Sequence, residues 1–251
     1  MNMKYSTLLF LTAAALTLAA CSSKQDTGGS SQEQAASSSP TSSQSSENNS
    51  EDNKEQVSKN PEVENVDKTV SYNGSYYSVA GKYDEIVIAN KHYPLSPSYN
   101  PGENATAKSE LLKLIADMQA QGYAISDQYS GFRSYDSQTG LYQNYVNQDG
   151  KEAADRYSAR PGYSEHQTGL AFDLIDSSGN LVQEAGASQW LLDNAYKYGF
   201  IVRYQAGKEA STGYMPESWH LRYIGKEAKE ISDSGLSLEE YYGFTGGDYT
   251  E

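Results

Sequence analysis

Apolar residues along this chain fall into three kinds of run, and each kind predicts a different physical fate. The first is a continuous block, Leu8 to Leu18, behind Met1 and Lys4. It is too short to cross a bilayer as a stable helix and reads as a targeting segment. From Ser22 to about Asn65, large apolar side chains almost disappear into Ser, Gln, Glu, Asn and Asp. Such a stretch cannot bury enough surface to offset the entropy of ordering, which predicts a disordered tether.

Beyond residue 70 the runs become periodic. Ile86 to Ala89 reads as a strand, followed by an extended segment punctuated by Pro94, Pro97 and Pro101. Leu111, Leu112, Leu114, Ile115 and Met118 form one stripe of a helix that Asn104 can cap and Gly122 can end. "YAISDQYSGFRS" predicts a strand running into a loop that presents Arg133. A second helical stretch, with Leu141, Tyr142, Tyr145 and Val146, follows Gln138. A third starts at Ser188, carries Trp190, Leu191, Leu192 and Ala195, and stops at Gly199. "FIVRY" and "SWHLRYI" read as late strands. Strands and helices mix without regular βαβ spacing or an internal repeat. The expectation is therefore a single α+β domain over residues 70–251, with a mainly antiparallel sheet flanked by helices. About 180 residues suffice for one sizeable core.

Charge narrows the partners. Lys and Arg total 19 against 33 acidic residues, a formal net charge of −14. With no basic stripe to interrupt that balance, nucleic acid is excluded as a partner. The 22 tyrosines suit sugar or peptide contacts near a groove, although half-buried structural positions account for most of them. The single cysteine, Cys21, follows Leu18-Ala19-Ala20. This resembles the lipobox of bacterial lipoproteins, which implies cleavage of residues 1–20, lipidation of Cys21, and residues 21–69 as a stalk. No thiol then remains for a disulfide or a metal.

Three histidines frame the chemistry. His92 lies in the Pro-punctuated segment and reads as structural. His166 has Asp173 seven residues on, within "SEHQTGLAFD", and His220 follows Glu217 by three within "PESWHLRY". Two neutral imidazoles and one carboxylate are the donor set of a catalytic zinc site that keeps a fourth position for water. Such a hydrolase also needs a base that is not a ligand, and Glu217 is the candidate. Pro216 places Glu217 in a bend just before the strand, where it can lean toward the same ion. Spacing alone leaves open whether each piece is instead a satisfied buried polar group.

The motifs themselves carry a resemblance. "SEHQTGLAFD" matches Ser-x-His-x-x-Gly-x-Ala-x-Asp and "ESWH" matches Glu-x-Trp-His, patterns of the VanY-type zinc D-alanyl carboxypeptidases that trim peptidoglycan stem peptides. "ANKHYPLSPSYNP", "SGFRS" and "ARPGYSEH" are similar to that family's Asn-Lys-x-x-Pro-Leu segment, arginine loop and approach to the first ligand. The resemblance implies an LAS-type zinc peptidase architecture. His166, Asp173 and His220 would hold Zn2+, with Glu217 as catalytic base and Arg133 binding the terminal carboxylate. Gln138, Ser164 and Tyr204 would be hydrogen-bonding groups around the terminal D-alanine. Gly169 and Ala171 would allow close packing beside the metal.

The similarity is strongest to the L,D-carboxypeptidase branch, which cuts D-alanine from tetrapeptide stems. D,D cleavage of pentapeptide stems stays open, since spacing does not decide it. Two readings without catalysis are a wall-binding lipoprotein and a solute-binding lipoprotein. Retention of the base disfavours the first, and the absence of two similar lobes disfavours the second. The implied setting is extracytoplasmic: a monomer, lipid-anchored to the membrane and facing the cell wall.

Overall fold

Asn104 caps the first long helix, its side chain accepting a hydrogen bond from the Ala107 amide. That helix, α1 (Ala105–Ala120), belongs to a computed structural model that describes residues 70–249. The signal segment, Cys21 and the tether expected over residues 1–69 lie outside the described residues. Among the described residues, no helix is long and apolar enough to cross a membrane.

Among the described residues, two antiparallel sheets organise the fold. The smaller has the order β1 (Ser71–Tyr72), β2 (Tyr77–Ala80), β3 (Glu85–Ile88). The larger has the order β4 (Ile125–Ser130), β5 (Ala171–Asp176), β7 (Glu217–Tyr223), β6 (Phe200–Tyr204), again antiparallel throughout. Helices α2 (Tyr135–Asp149) and α3 (Lys151–Asp155) follow β4, and α4 (Ala185–Asn194) precedes β6. The short α5 (Glu209–Thr212) precedes β7, and α6 (Ala228–Ser234) and α7 (Leu238–Tyr242) close the described chain.

Strand alternation divides the larger sheet into two faces. Phe172 and Leu174 of β5, Phe200 and Val202 of β6, and Leu221 of β7 pack with Leu111, Leu114, Ile115 and Met118 of α1 and Trp190 and Leu191 of α4. Burying side chains of this size contributes roughly 1.5–3 kcal/mol each against the entropy of ordering them. The intervening residues Asp173, His220, Arg203 and Arg222 are also buried and leave that cluster. Ile201, by the same alternation, joins a second core with Val79, Ile86 and Ile88 of the small sheet and Tyr242 of α7.

Several boundaries differ from the pattern-based reading, each for a local reason. Leu112 is 46% exposed, because it sits one position off the stripe made by Leu111 and Ile115. The helix expected from Ser188 is α4, which begins at Ala185, where the Glu184 carboxylate accepts from the Gly186 and Ala187 amides and caps earlier than Ser188 could. The helix expected after Gln138 is α2, which begins at Tyr135 under a Ser134 cap, so Gln138 lies inside it and is its buried residue. Strands β1 and β2 had no pattern strong enough to be read from the sequence.

Candidate metal centre and cleft

The stretch "SEHQTGLAFD" resolves into two elements. Glu165–Thr168 forms one 3-10 turn, Gly169 ends it at φ +72°, and β5 begins two residues later. A Cβ at Gly169 would fall 1.9 Å from the Gly102 carbonyl oxygen, so both the conformation and the space require glycine. The turn carries His166 and the strand carries Asp173. On β5, Asp173 pairs directly with His220 of β7, which is why these two side chains meet although 47 positions separate their numbers in sequence.

His166 Nε2 lies 3.1 Å from Asp173 Oδ2, and His220 Nδ1 lies 3.0 Å from Asp173 Oδ1. One donor atom from each of the three residues falls within 4.8 Å of the others, and all three residues are buried. His166 Nδ1 donates to the Gly131 carbonyl at 2.8 Å, and since a carbonyl only accepts, the bare nitrogen is Nε2, facing the cluster. A Cβ at Gly131 would meet Glu103 Oε1 at 2.2 Å, so a larger residue there would first displace that side chain.

The donor set fits a metal ion. Asp173 Oδ1 is buried and has no hydrogen-bonding partner, despite its short approach to His220. Ring nitrogens and carboxylate oxygens that crowd to about 3 Å while one buried oxygen lacks an aligned hydrogen bond are arranged around a common point. Burial by itself would push the Asp173 carboxyl up, but His166 and His220 hold it well below the usual carboxylate range. Burial likewise opposes charge on His220, yet Asp173 and Glu165 push it up to about 10. Both shifts favour a positive charge beside the Asp173 carboxylate, which suits a cation.

Glu217 opens β7 as a strand residue, where the sequence suggested a bend before the strand. Regular alternation would put it on the core face with Leu221. The β6–β7 ladder shifts register between the pairs Val202–Leu221 and Tyr204–Glu217, and this irregularity turns Glu217 into the cleft, where its Oε2 stands 3.8 Å from His220 Nδ1. Burial, with Asp173 and Glu165 nearby and His220 opposing, raises its carboxyl to about 8. Trp219, two residues on, packs against the core and lines the cleft.

A cleft of about 300 Å³ connects these groups with Arg133, Gln138, Ser164 and Tyr204. The Arg133 amide donates to the His166 carbonyl at 3.2 Å, tying the arginine loop to the 3-10 turn. Its guanidinium donates to Gln138 Oε1 and to Ser130 Oγ, each at 3.0 Å, and lies 4.0 Å from Asp173 Oδ2. Gln138 in turn donates to the Ala159 carbonyl at 2.6 Å. The Tyr204 ring packs 4.9 Å from that of His220. Ser164 is buried on the cleft wall. His92 is half-buried and takes no part in the cluster.

Sequence reasoning missed Glu165. Sitting beside a histidine it looks like a solvated surface charge, but it is fully buried between Arg203, Arg222 and His220. Only the fold brings those partners together, so no local pattern points to them.

A family model for VanY, D-alanyl-D-alanine carboxypeptidase, matches residues 102–226. YodJ of Bacillus subtilis (strain 168) is 38% identical over 189 residues, covering 72% of this chain and 69% of that protein. The solved LdcB LD-carboxypeptidase is 72% identical, with a TM-score of 0.71, across 72% of this chain and 98% of its own. A VanY D,D-pentapeptidase from a VanB-type resistance cassette, solved with Zn(II), is 32% identical with a TM-score of 0.54, covering 61% of this chain and 96% of its own. The order of motifs, the antiparallel sheet that carries them and these likenesses agree: the chain belongs to the VanY carboxypeptidase family.

Proposed function

We propose that the protein is a zinc-dependent L,D-carboxypeptidase that removes the terminal D-alanine from peptidoglycan tetrapeptide stems. The observation that carries the reading is one cleft in which a buried carboxylate, Glu217, and a guanidinium, Arg133, both flank the His166–Asp173–His220 cluster. The 72% identity to an LD-carboxypeptidase supports the L,D branch over the D,D activity of the 32% identical VanY structure.

His166, Asp173 and His220 would hold the ion. The chemistry zinc supplies when bound is Lewis acidity, which polarises a carbonyl and acidifies a water near neutral pH. Glu217 takes the proton of the attacking water at its carboxylate and returns it to the amine of the departing D-alanine. Its raised carboxyl would be lowered by a cation beside His220, toward a value suited to both transfers. Arg133 offers a planar fork to the substrate's terminal carboxylate, with Gln138 and Ser130 holding the guanidinium in place. Gln138, Ser164 and Tyr204 complete the wall around the terminal residue. A requirement for that carboxylate makes the enzyme an exopeptidase.

The setting follows from the N-terminal reading: Cys21 lipidated after removal of residues 1–20, a tether over 21–69, and a monomeric zinc domain from residue 70 acting outside the membrane on the wall. Incubating purified protein with defined tetrapeptide muropeptides, with and without a chelator, tests the function. Zinc-dependent release of D-alanine is the expected result, and intact peptide in the presence of zinc would refute it.

A further inference from the structure

Glu165 ends a fully buried chain of charges that reaches the distal nitrogen of His220. Its Oε1 accepts from Arg203 Nε at 2.9 Å and from Arg222 Nη1 at 2.8 Å, and its Oε2 lies 3.3 Å from His220 Nε2. The two other guanidinium nitrogens of Arg203 clamp Glu239 of α7 at 2.8 and 2.6 Å. Glu239 also accepts from Asn90 Nδ2 at 3.1 Å, and Arg222 Nη2 donates to the Val87 carbonyl at 2.6 Å. Two glutamates and two arginines balance one another, so charge neutrality of the cluster needs nothing from His220.

We propose that Glu165 is a positioning residue that fixes the tautomer of His220 and thereby sets the affinity of the metal site. The inference rests on the metal reading of His166, Asp173 and His220. A carboxylate only accepts, so a neutral imidazole facing it carries its proton on Nε2 and leaves Nδ1 bare toward Asp173 and the cluster. The two arginines occupy Oε1, which prevents the carboxylate from turning away. Partners of this kind, bonded to the far side of a ligating histidine, are typically worth about 10- to 100-fold in metal affinity.

The substitution Glu165→Gln makes the inference testable. The two arginines demand the amide oxygen, so the amide NH2 turns to His220 Nε2, which must then accept. That puts the proton on Nδ1, the atom that should ligate. Zinc affinity is read by competition with a chromophoric chelator on the full chain, alongside thermal unfolding of the metal-free protein. Glu239→Gln is the control, because it neutralises the other carboxylate of the same buried cluster but does not touch His220.

Both variants should lose stability, and only Glu165→Gln should bind zinc about 10- to 100-fold more weakly, with the control within about threefold of wild type. If Glu165→Gln does not fold, Glu165→Asp, which keeps the charge but shortens the reach, should fold and bind at least about tenfold more weakly. Wild-type affinity in whichever Glu165 variant folds, or equal loss in the control, overturns the inference and leaves the metal reading standing. Failure of the wild type itself to bind zinc overturns both.

Discussion

Glu217 and His220 lie three residues apart on one strand, yet a carboxylate oxygen of the first and a ring nitrogen of the second stand 3.8 Å apart. A regular strand would put them on opposite faces. The register shift opposite Tyr204 breaks the alternation and gives the cluster a carboxylate that is not one of its three donors.

Under the proposed function, that geometry would separate the base from the ligands. Glu217→Gln should keep the zinc and the fold while turnover falls about a hundred- to ten-thousand-fold, because an amide cannot accept and return a proton. Metal content by atomic spectroscopy, measured beside the rate of D-alanine release, checks both halves. A loss below about tenfold would assign the proton transfers elsewhere.

Removing the ion should loosen the whole domain, since the donors come from the 3-10 turn, β5 and β7 together. An ion at about 100 times its dissociation constant contributes about 2.7 kcal/mol. For a domain of this size, chelation should lower Tm by about 5–10 °C, reversibly on adding zinc. An unchanged Tm would mean that the ion does not bridge these elements in the folded state.

Gly169→Ala should be severely destabilising. A left-handed alanine costs roughly 1–2 kcal/mol, and the overlap with the Gly102 carbonyl adds a packing strain of about 1–3 kcal/mol. Calorimetry should show a Tm drop of several degrees or more, with weakened metal binding because His166 moves with the turn. Near-wild-type stability would contradict the tightness of this crossing.

Asp155 supplies a pH test away from the metal cluster. It accepts from Arg160 at 2.7 and 3.1 Å and from the Tyr142 hydroxyl at 2.7 Å. Burial raises its carboxyl, but those donors outweigh burial and hold it below the usual value. A depressed folded pKa stabilises the protein above the ordinary aspartate value near 4 and loses that contribution as pH falls through the folded one. After solvent screening the contribution is about 1 kcal/mol. Asp155→Asn should therefore lower Tm by about 2–4 °C at pH 7, with a shrinking difference toward pH 2–3. A difference that stayed constant down to pH 2 would rule this out.

How much was legible in the sequence depended on how local the cause was. The Asn104 cap, the α1 stripe apart from Leu112, and the strand identities of "FIVRY" and "SWHLRYI" follow from short-range pattern, and they appear in the fold. Glu184 capping α4 was hidden because a glutamate is a less usual cap than the serine four residues on. His166, Asp173 and His220 could be named from spacing and family likeness. That Asp173 and His220 are cross-strand neighbours could not, since strand register is set by long-range pairing. Glu165 was invisible because its partners Arg203, Arg222 and Glu239 lie on other elements and nothing in a linear pattern marks a charge as buried. The same holds for the irregular ladder that turns Glu217 inward.

In the proposed function, metal chemistry and recognition of a free terminal carboxylate by Arg133 act on one substrate, and a comparison of three peptides tests both. A tetrapeptide stem ending in free D-alanine should be cleaved to the tripeptide. The same peptide amidated at its C-terminus should be nearly inert, because a buried guanidinium left without its partner costs on the order of 2–5 kcal/mol. The Arg133 side chain is 22% exposed, which places the loss toward the lower end of that range, still a reduction of about thirtyfold. The pentapeptide ending in D-Ala-D-Ala should be the poorer free substrate. Preferential release of D-alanine from the free tetrapeptide is the predicted result; equal rates on free and amidated peptides would contradict the role of Arg133, and a clear preference for the pentapeptide would contradict the L,D assignment.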